Sequence, residues 1–325
     1  MRVLSGIQPT GMAHIGNYYG AIINWVREQE SGESFYCVVD LHALTIEVDP
    51  KELENGTLET FATLIACGID PNKATLFVQS HVAAHPMLAW IMECTASMGE
   101  LNRMTQFKDK GRGSDSVKAG LFTYPALMAA DILAYQADRV PVGDDQKQHL
   151  ELARDLAIRF NRLYGDTFKV PEPQIPAVGA RIMDLTDPTK KMSKSSKVMN
   201  SKIYVTDSDK EIQKKISRAV TDTHEGVVYD PNNRPGVANL LEIYSAVALE
   251  RPQDIAARYS SYGPLKKDLS ELLISQIGPI RDRFNDLRSD QGELFSLMRK
   301  GADRAIEVAE ETSRRARRAM GLVVI

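Results

Sequence analysis

Cysteine is scarce in this chain of 325 residues, with only Cys37, Cys67 and Cys94, about thirty positions apart. That spacing fits neither a disulfide framework nor a zinc site, so the three read as small apolar core residues of a reduced, cytoplasmic protein. No apolar run approaches the length needed to cross a bilayer, and the opening MRVLSGIQPT lacks the h-region of a secretory leader. Neither sign of charge dominates. There are 40 Lys and Arg against 43 Asp and Glu, a net charge of −3. This excludes a general affinity for nucleic acid but leaves room for a local basic footprint. Two nucleotide fingerprints are missing as well: no GxGxxG follows the first strand-like run, and no GxxxxGKS occurs.

What is present is an ordinary globular composition, 43 % hydrophobic and 26 % charged, with length enough for two domains. The first half alternates short β-rich runs (RVLSG at 2–6, FYCVVD at 35–40, ATLFVQ at 74–79, RVPV at 139–142) with amphipathic helical patterns at 17–30, 50–68, 85–104, 117–137 and 145–164. Gly68 makes a suitable helix stop. KDKGRGSDS (108–116) reads as a mobile loop, VPEPQIP (170–176) as a proline-stiffened connector, and ARIMDL (180–185) as a further strand. Beyond residue 200 nearly everything is helical in pattern, at 207–220, 237–249, 252–261, 264–288 and 290–319. The expected fold is therefore α/β, a Rossmann-like doubly wound parallel sheet with a helical C-terminal domain, its ligand site at the carboxyl ends of the strands. Residues 1–200 form the α/β domain, with a helical insertion at about 105–176, and 201–325 the helical one. The terminal GLVVI is expected to pack onto the fold.

Two segments suit phosphate. Thr186–Val220 holds nine Lys or Arg against four Asp or Glu, and KKMSKSSK at 190–197 shows neither helical nor strand period. After the first strand comes SGIQPTGMAHIGNYYGA, in which His14, Gly16 and Asn17 open a helix. A helix N-terminus offers free N–H groups and partial positive charge, and a glycine there lets an anion approach the backbone. A strand-to-helix turn needing glycine for geometry alone is the plainer reading of that loop, but the lysine loop makes a shared phosphate site the better one.

PTGMAHIGN (9–17) resembles the first signature of class I aminoacyl-tRNA synthetases, and KMSKS (191–195) is identical to the second. SGIQPTG, GELNRMTQFKDK, TYPALMAADILAY, VGDDQKQHLELARDL and VGARIMDL resemble the bacterial tryptophanyl-tRNA synthetase family within that class, over nearly the whole chain. Asn17 stands where the class motif has His, and Ser196 where the family often has Asp. The resemblance implies a cytoplasmic homodimer that activates L-tryptophan with ATP, releases pyrophosphate, and transfers tryptophan to tRNA(Trp), the helical domain recognising the anticodon. It assigns Lys191, Lys194, His14 and Asn17 to catalysis. Gln8, Pro9, Thr10, Gly16, Asn17, Gly143, Asp144, Asp145, Ile182, Lys191, Met192, Ser193, Lys194 and Ser195 fall to ATP. Mg²⁺ is expected on the ATP phosphates rather than in a protein cage. Lys108 and Lys110 are surface lysines or weaker partners of the same phosphates.

Tyr124, Met128, Asp131 and Tyr135 share one helical face. An acid on an apolar face is costly without a partner. It is half of a buried ion pair, a helix cap, or the acceptor for the indole N–H of tryptophan with Tyr124 and Met128 beside it on the same face, and the resemblance places Gln146 near the amino-acid substrate. Three rivals remain at this stage. A tyrosyl-tRNA synthetase would have a second signature nearer KFGKS, a small-metabolite nucleotidyltransferase has little use for the helical domain, and a non-catalytic tRNA- or tryptophan-binding paralogue would have lost the phosphate-binding residues.

Overall fold

The computed structural model describes residues 1–104, 118–143, 146–174, 181–194, 196 and 198–325. Five parallel strands, β1 (Arg2–Ile7), β2 (Glu33–Val38), β3 (Thr75–Val78), β4 (Arg139–Pro141) and β5 (Glu172–Gln174), form a sheet in the order β3-β2-β1-β4-β5. Leu4 pairs with Phe35, Phe35 with Thr75, Val3 with Arg139, and Val140 with Pro173. The chain starts in the middle, winds out through β2 and β3, then returns to the other side of β1. The switch point therefore falls between β1 and β4.

Between the strands run α1 (Ile15–Asn17), a π-helical turn (Tyr18–Ile22) continuing into α2 (Ile23–Glu28), α3 (Asp40–Ala43), α4 (Pro50–Ala66), α5 (Ala84–Thr95), α6 (Met98–Asn102), α7 (Ala119–Ala134) and α8 (Lys147–Tyr164). After them come α9 (Asp209–Arg218), α10 (Pro235–Ala248), α11 (Pro252–Ala256), α12 (Tyr262–Ser289) and α13 (Gln291–Ala319). Their starts are chemically marked. Asp49 accepts from Lys51 N–H at 2.9 Å and Glu52 N–H at 3.1 Å ahead of Pro50, and Ser97 and Ser208 form capping boxes with Glu100 and Glu211. Gly68 ends α4 at φ +112°, where a side chain would be strained.

Successive strand residues face opposite layers. Phe35, Cys37 and Phe77 pack under α5, α7, α8 and part of α13. Tyr36, Val38, Leu76 and Val78 pack against α4, Trp25 and α12 residues Ile280 and Phe284. Both faces are covered, the doubly wound arrangement expected. A third core joins Ile15, Tyr19, Ile182, Met192 and Ile203 to Ile212, Ile216, Leu240, Leu269 and Leu273, so the helical part of the chain packs directly under both signature segments.

Four expectations give way. ARIMDL does not enter the sheet: Met183 makes an isolated bridge to Lys191. Its neighbours spend their backbone bonds on the lysine loop, Asp184 N–H donating to Lys190 at 2.8 Å and Leu185 N–H to Ser201 at 2.9 Å. The VPEPQIP segment is not merely a connector, since its middle forms β5. Proline, which cannot donate, is tolerated there because β5 is an edge strand. The terminal GLVVI stays exposed, Val323 at 91 %. Cys37 and Cys67 are buried but Cys94 is exposed, on the outer side of α5.

Candidate active site

At the switch point a cavity of about 750 Å³ opens over the carboxyl ends of β1 and β4. Its lining includes Gly6 and Gln8 after β1, Gly20 and Ala21 from the π-helical turn, Tyr124, Met128 and Asp131 from α7, and Gly143 and Gln146 after β4. Gln8, Tyr124, Met128, Asp131, Gly143 and Gln146, singled out in the sequence, thus come together from three distant segments. The π turn is a departure from α-helical winding of the kind often found at functional sites.

Asp131 is the charged centre of this cavity wall, 5 % exposed. Its Oδ1 accepts from Gln79 Nε2 at 2.7 Å and from His85 Nδ1 at 2.6 Å, and its Oδ2 from His42 Nε2 at 2.8 Å. His85 Nε2 lies 2.8 Å from the Tyr135 hydroxyl. His85 thus ties Asp131 to the buried Tyr135 hydroxyl through its two ring nitrogens. Burial pushes the Asp131 carboxyl up, but the bonds from His42 and His85 outweigh it and hold the group down at about 2. The result is a fixed carboxylate at an otherwise largely apolar wall, with Oδ2 taking only one of these three bonds. Tyr135, on the same helical face, lies beneath the wall and is fully buried.

A second, more polar cluster, outside the lining of that cavity, is built from the two signatures. His14 and Gly16 sit at the N-terminus of α1, and the Asn17 Oδ1 accepts the His14 backbone N–H at 3.1 Å. A Cβ at Gly16 would lie 3.0 Å from the His14 ring, so glycine lets the imidazole fold back over the helix start. Burial first, then the ammonium groups of Lys194, Lys202 and Lys191, push His14 down to about 4, so it is neutral at physiological pH. Lys194 Nζ donates to the Gly11 carbonyl at 3.2 Å, and burial lowers its pKa to about 8. Lysines from one end of the chain's α/β half and a histidine from the other are therefore neighbours.

The remaining predicted residues divide. Met192 and Ile182 are buried beside Ile15, with Met192 N–H donating to Ile182 at 3.1 Å. Pro9 is buried, while Thr10, Lys191 and Ser193 are exposed. Asp144, Asp145, Ser195, Lys108 and Lys110 lie outside the described residues, as does the whole of the loop 108–116. Sequence reasoning missed His42, Gln79 and His85, each on a different segment from Asp131 and without a motif of its own. It also missed Glu28, which lines the cavity, accepts from Gln174 Nε2 at 2.5 Å, and has its carboxyl pushed up by burial. An unpartnered acid on an apolar helix face was the signal that such donors had to exist.

A family profile described as tRNA synthetases class I (W and Y) matches residues 1–276. The chain is 49 % identical over 325 residues to a tryptophan–tRNA ligase of Caldanaerobacter subterraneus subsp. tengcongensis, covering 99 % of each chain. It is 50 % identical over 322 residues to one of Bacillus anthracis, covering 98 % of each. Among solved structures, the tryptophanyl-tRNA synthetase of Campylobacter jejuni complexed with ADP and tryptophan superposes with a TM-score of 0.88 at 35 % identity, over 99 % of this chain and 100 % of that one.

Proposed function

This chain belongs to the class I family of tryptophanyl- and tyrosyl-tRNA synthetases, and we propose that its reaction is the two-step joining of tryptophan to tRNA(Trp). In the first step a carboxylate oxygen of tryptophan attacks the α-phosphorus of ATP, and the bond to the β-phosphate breaks to release pyrophosphate. In the second, a ribose hydroxyl of the tRNA attacks the carbonyl carbon of the adenylate and AMP leaves. Neither step needs a nucleophile from the protein. The demand is to hold two anions together and to stabilise charge on the departing pyrophosphate.

The observation that carries the tryptophan reading is Asp131. Three donors keep it an acceptor at the cavity wall, which suits the one N–H of an indole ring, with the Met128 sulfur beside the ring. Gln146 and Tyr124 face the same space and serve the amino-acid end. The corner of His14, Asn17, Lys191 and Lys194 takes the phosphates. His14, neutral, offers an N–H rather than a charge, and the lysines offer charge. Gln8, Pro9, Thr10, Gly16, Gly143, Asp144, Asp145, Ile182, Met192, Ser193 and Ser195 complete the nucleotide site. ATP enters as its Mg²⁺ complex, the ion held by phosphate and water oxygens. No cluster of three His, Cys, Asp or Glu side chains suited to a metal occurs among the described residues. The helices after residue 200 bind tRNA, and the active protein is a homodimer in the cytoplasm.

Amino-acid-dependent ATP–pyrophosphate exchange tests the reading. Tryptophan alone of the twenty amino acids should drive fast exchange. Exchange driven equally by tyrosine would move the chain to the other branch of its family, and no exchange with any amino acid would remove the catalytic reading altogether.

A further inference from the structure

Lys202 is a lysine buried to 2 % exposure, to which the chemistry above gives no part beyond its charge near His14. Burying an ammonium group is expensive unless its protons find acceptors. Here Nζ donates to the carbonyl oxygen of Lys194 at 2.8 Å and to that of Ser196 at 2.7 Å, and stands 5.6 Å from the centre of the Tyr204 ring. Its hydrogen-bond acceptors are main-chain oxygens on either side of position 195. The contact therefore fixes the backbone of the second signature rather than any side chain in it.

The residues that follow Lys202 are bound to the first signature. Ile15 N–H donates to the Ile203 carbonyl at 2.9 Å, Val205 N–H donates to the Ala13 carbonyl at 3.0 Å, and His14 bridges Tyr204 between them. Lys202 thus stands where the lysine loop meets the short antiparallel patch that carries His14. A second tie, between the Ser201 and Ser196 hydroxyls at 3.0 Å, is neutral and acts on the same stretch. Lys194 reaches across to Gly11 from a backbone that Lys202 holds.

We propose that Lys202 is a positioning residue for adenylate formation: its ammonium group clasps the loop backbone at Lys194 and Ser196 to the His14 segment, and so sets where the Lys194 ammonium meets the departing pyrophosphate. This rests on the role given to Lys194 above. Lysine suits the position because one buried group must satisfy two carbonyls, and an apolar side chain of equal length fills the space while leaving both unpaired.

The test is a double-mutant cycle on the full-length protein, with adenylate formation followed in single turnover by rapid quench at saturating MgATP and tryptophan. Lys202→Met should slow that step by about ten- to a hundredfold, the cost of misplacing a reacting group by about 1 Å, while tryptophan affinity stays at the wild-type value. If Lys202 acts through Lys194, the combination Lys194→Ala with Lys202→Met should be no slower than Lys194→Ala alone. Fully additive losses, or an unchanged rate in Lys202→Met, would overturn the clasp. A normal rate in Lys194→Ala would overturn the role of Lys194, and the clasp with it. Should Lys202→Met fail to fold, Lys202→Gln, which keeps one neutral donor, carries the same cycle, with an intermediate loss expected.

Discussion

Asp131 shows how much a single buried ion demands of its surroundings. The carboxyl is kept near 2 against the pull of burial because His42 and His85 donate to it. Since its folded value lies below the ordinary carboxylate value of about 3.9, this network adds stability that is complete above that pH and is lost as pH falls through about 2. Asp131→Asn replaces two acceptor oxygens with one and turns an NH₂ toward donors. Hydrogen bonds to a charged group are worth roughly 1.5–3 kcal/mol each, so kcat/KM for tryptophan should fall by about one to two powers of ten, with ATP affinity nearly unchanged. The acid limb of the thermal-melt profile should shrink in the same variant. Pyrophosphate exchange with tryptophan, tyrosine and phenylalanine is the measurement, and unaltered selectivity would reduce Asp131 to a structural acid. Lys194 gives a second residue-scale expectation. Its pKa, lowered to about 8 by burial, means that the free protein loses this ammonium group as pH rises through that value. The kcat/KM for ATP should therefore decline above about pH 8. The decline in kcat should come later, because bound phosphates favour the charged form. Lys194→Arg, with its guanidinium charged throughout, should move the alkaline limb of kcat/KM upward.

At the scale of elements, the helices were legible because each carries its own punctuation. The 50–68 pattern becomes α4, bounded by the Asp49 cap and Gly68, and the long terminal patterns become α12 and α13 within two residues. The continuous 85–104 pattern breaks instead into α5 and α6, because Ala96 is extended and Ser97 caps a new helix start. Strands were harder. β5 was hidden by its proline, and ARIMDL was mistaken for a strand because apolar residues facing a loop resemble apolar residues in a sheet. The site divides the same way. Asp131, Met128 and the signature residues stood out by spacing or motif, whereas His42, Gln79 and His85 became partners only through tertiary folding. Gly301 belongs to this scale too. A Cβ there would stand 1.7 Å from the Leu76 carbonyl oxygen, so α13 lies directly on β3 and has no room to give. Gly301→Ala should destabilise the protein by about 1–3 kcal/mol, toward the upper end because the obstacle is backbone. Urea unfolding would show a lower midpoint at unchanged slope. An unchanged midpoint would mean that α13 shifts off β3 freely.

On the scale of the whole molecule, α5 has two faces with different business. Its inner face delivers His85 to Asp131. Its outer face leaves Met87, Trp90 and Cys94 exposed at spacings of three and four residues, Trp90 at 64 %, and Met98 at the start of α6 is 67 % exposed. An apolar stripe of this kind is costly to leave in water and suits contact with a second copy of the chain. The homodimer proposed above therefore has a candidate surface, set on the back of the helix that delivers His85 to Asp131. Trp90→Glu places a charge where the stripe would be desolvated. Interface tryptophans commonly contribute about 2 kcal/mol or more, which corresponds to a dissociation constant raised at least about thirtyfold. Sedimentation velocity should find the wild type near twice the chain mass of 36.1 kDa and the variant near one chain mass at the same concentration. If the subunit contact also braces α5, the separated variant should bind tryptophan more weakly while its circular dichroism stays that of the folded protein. A wild type that sediments as a monomer at micromolar concentration would discard the stripe as an interface. A dimer undisturbed by Trp90→Glu would place the contact elsewhere on the surface.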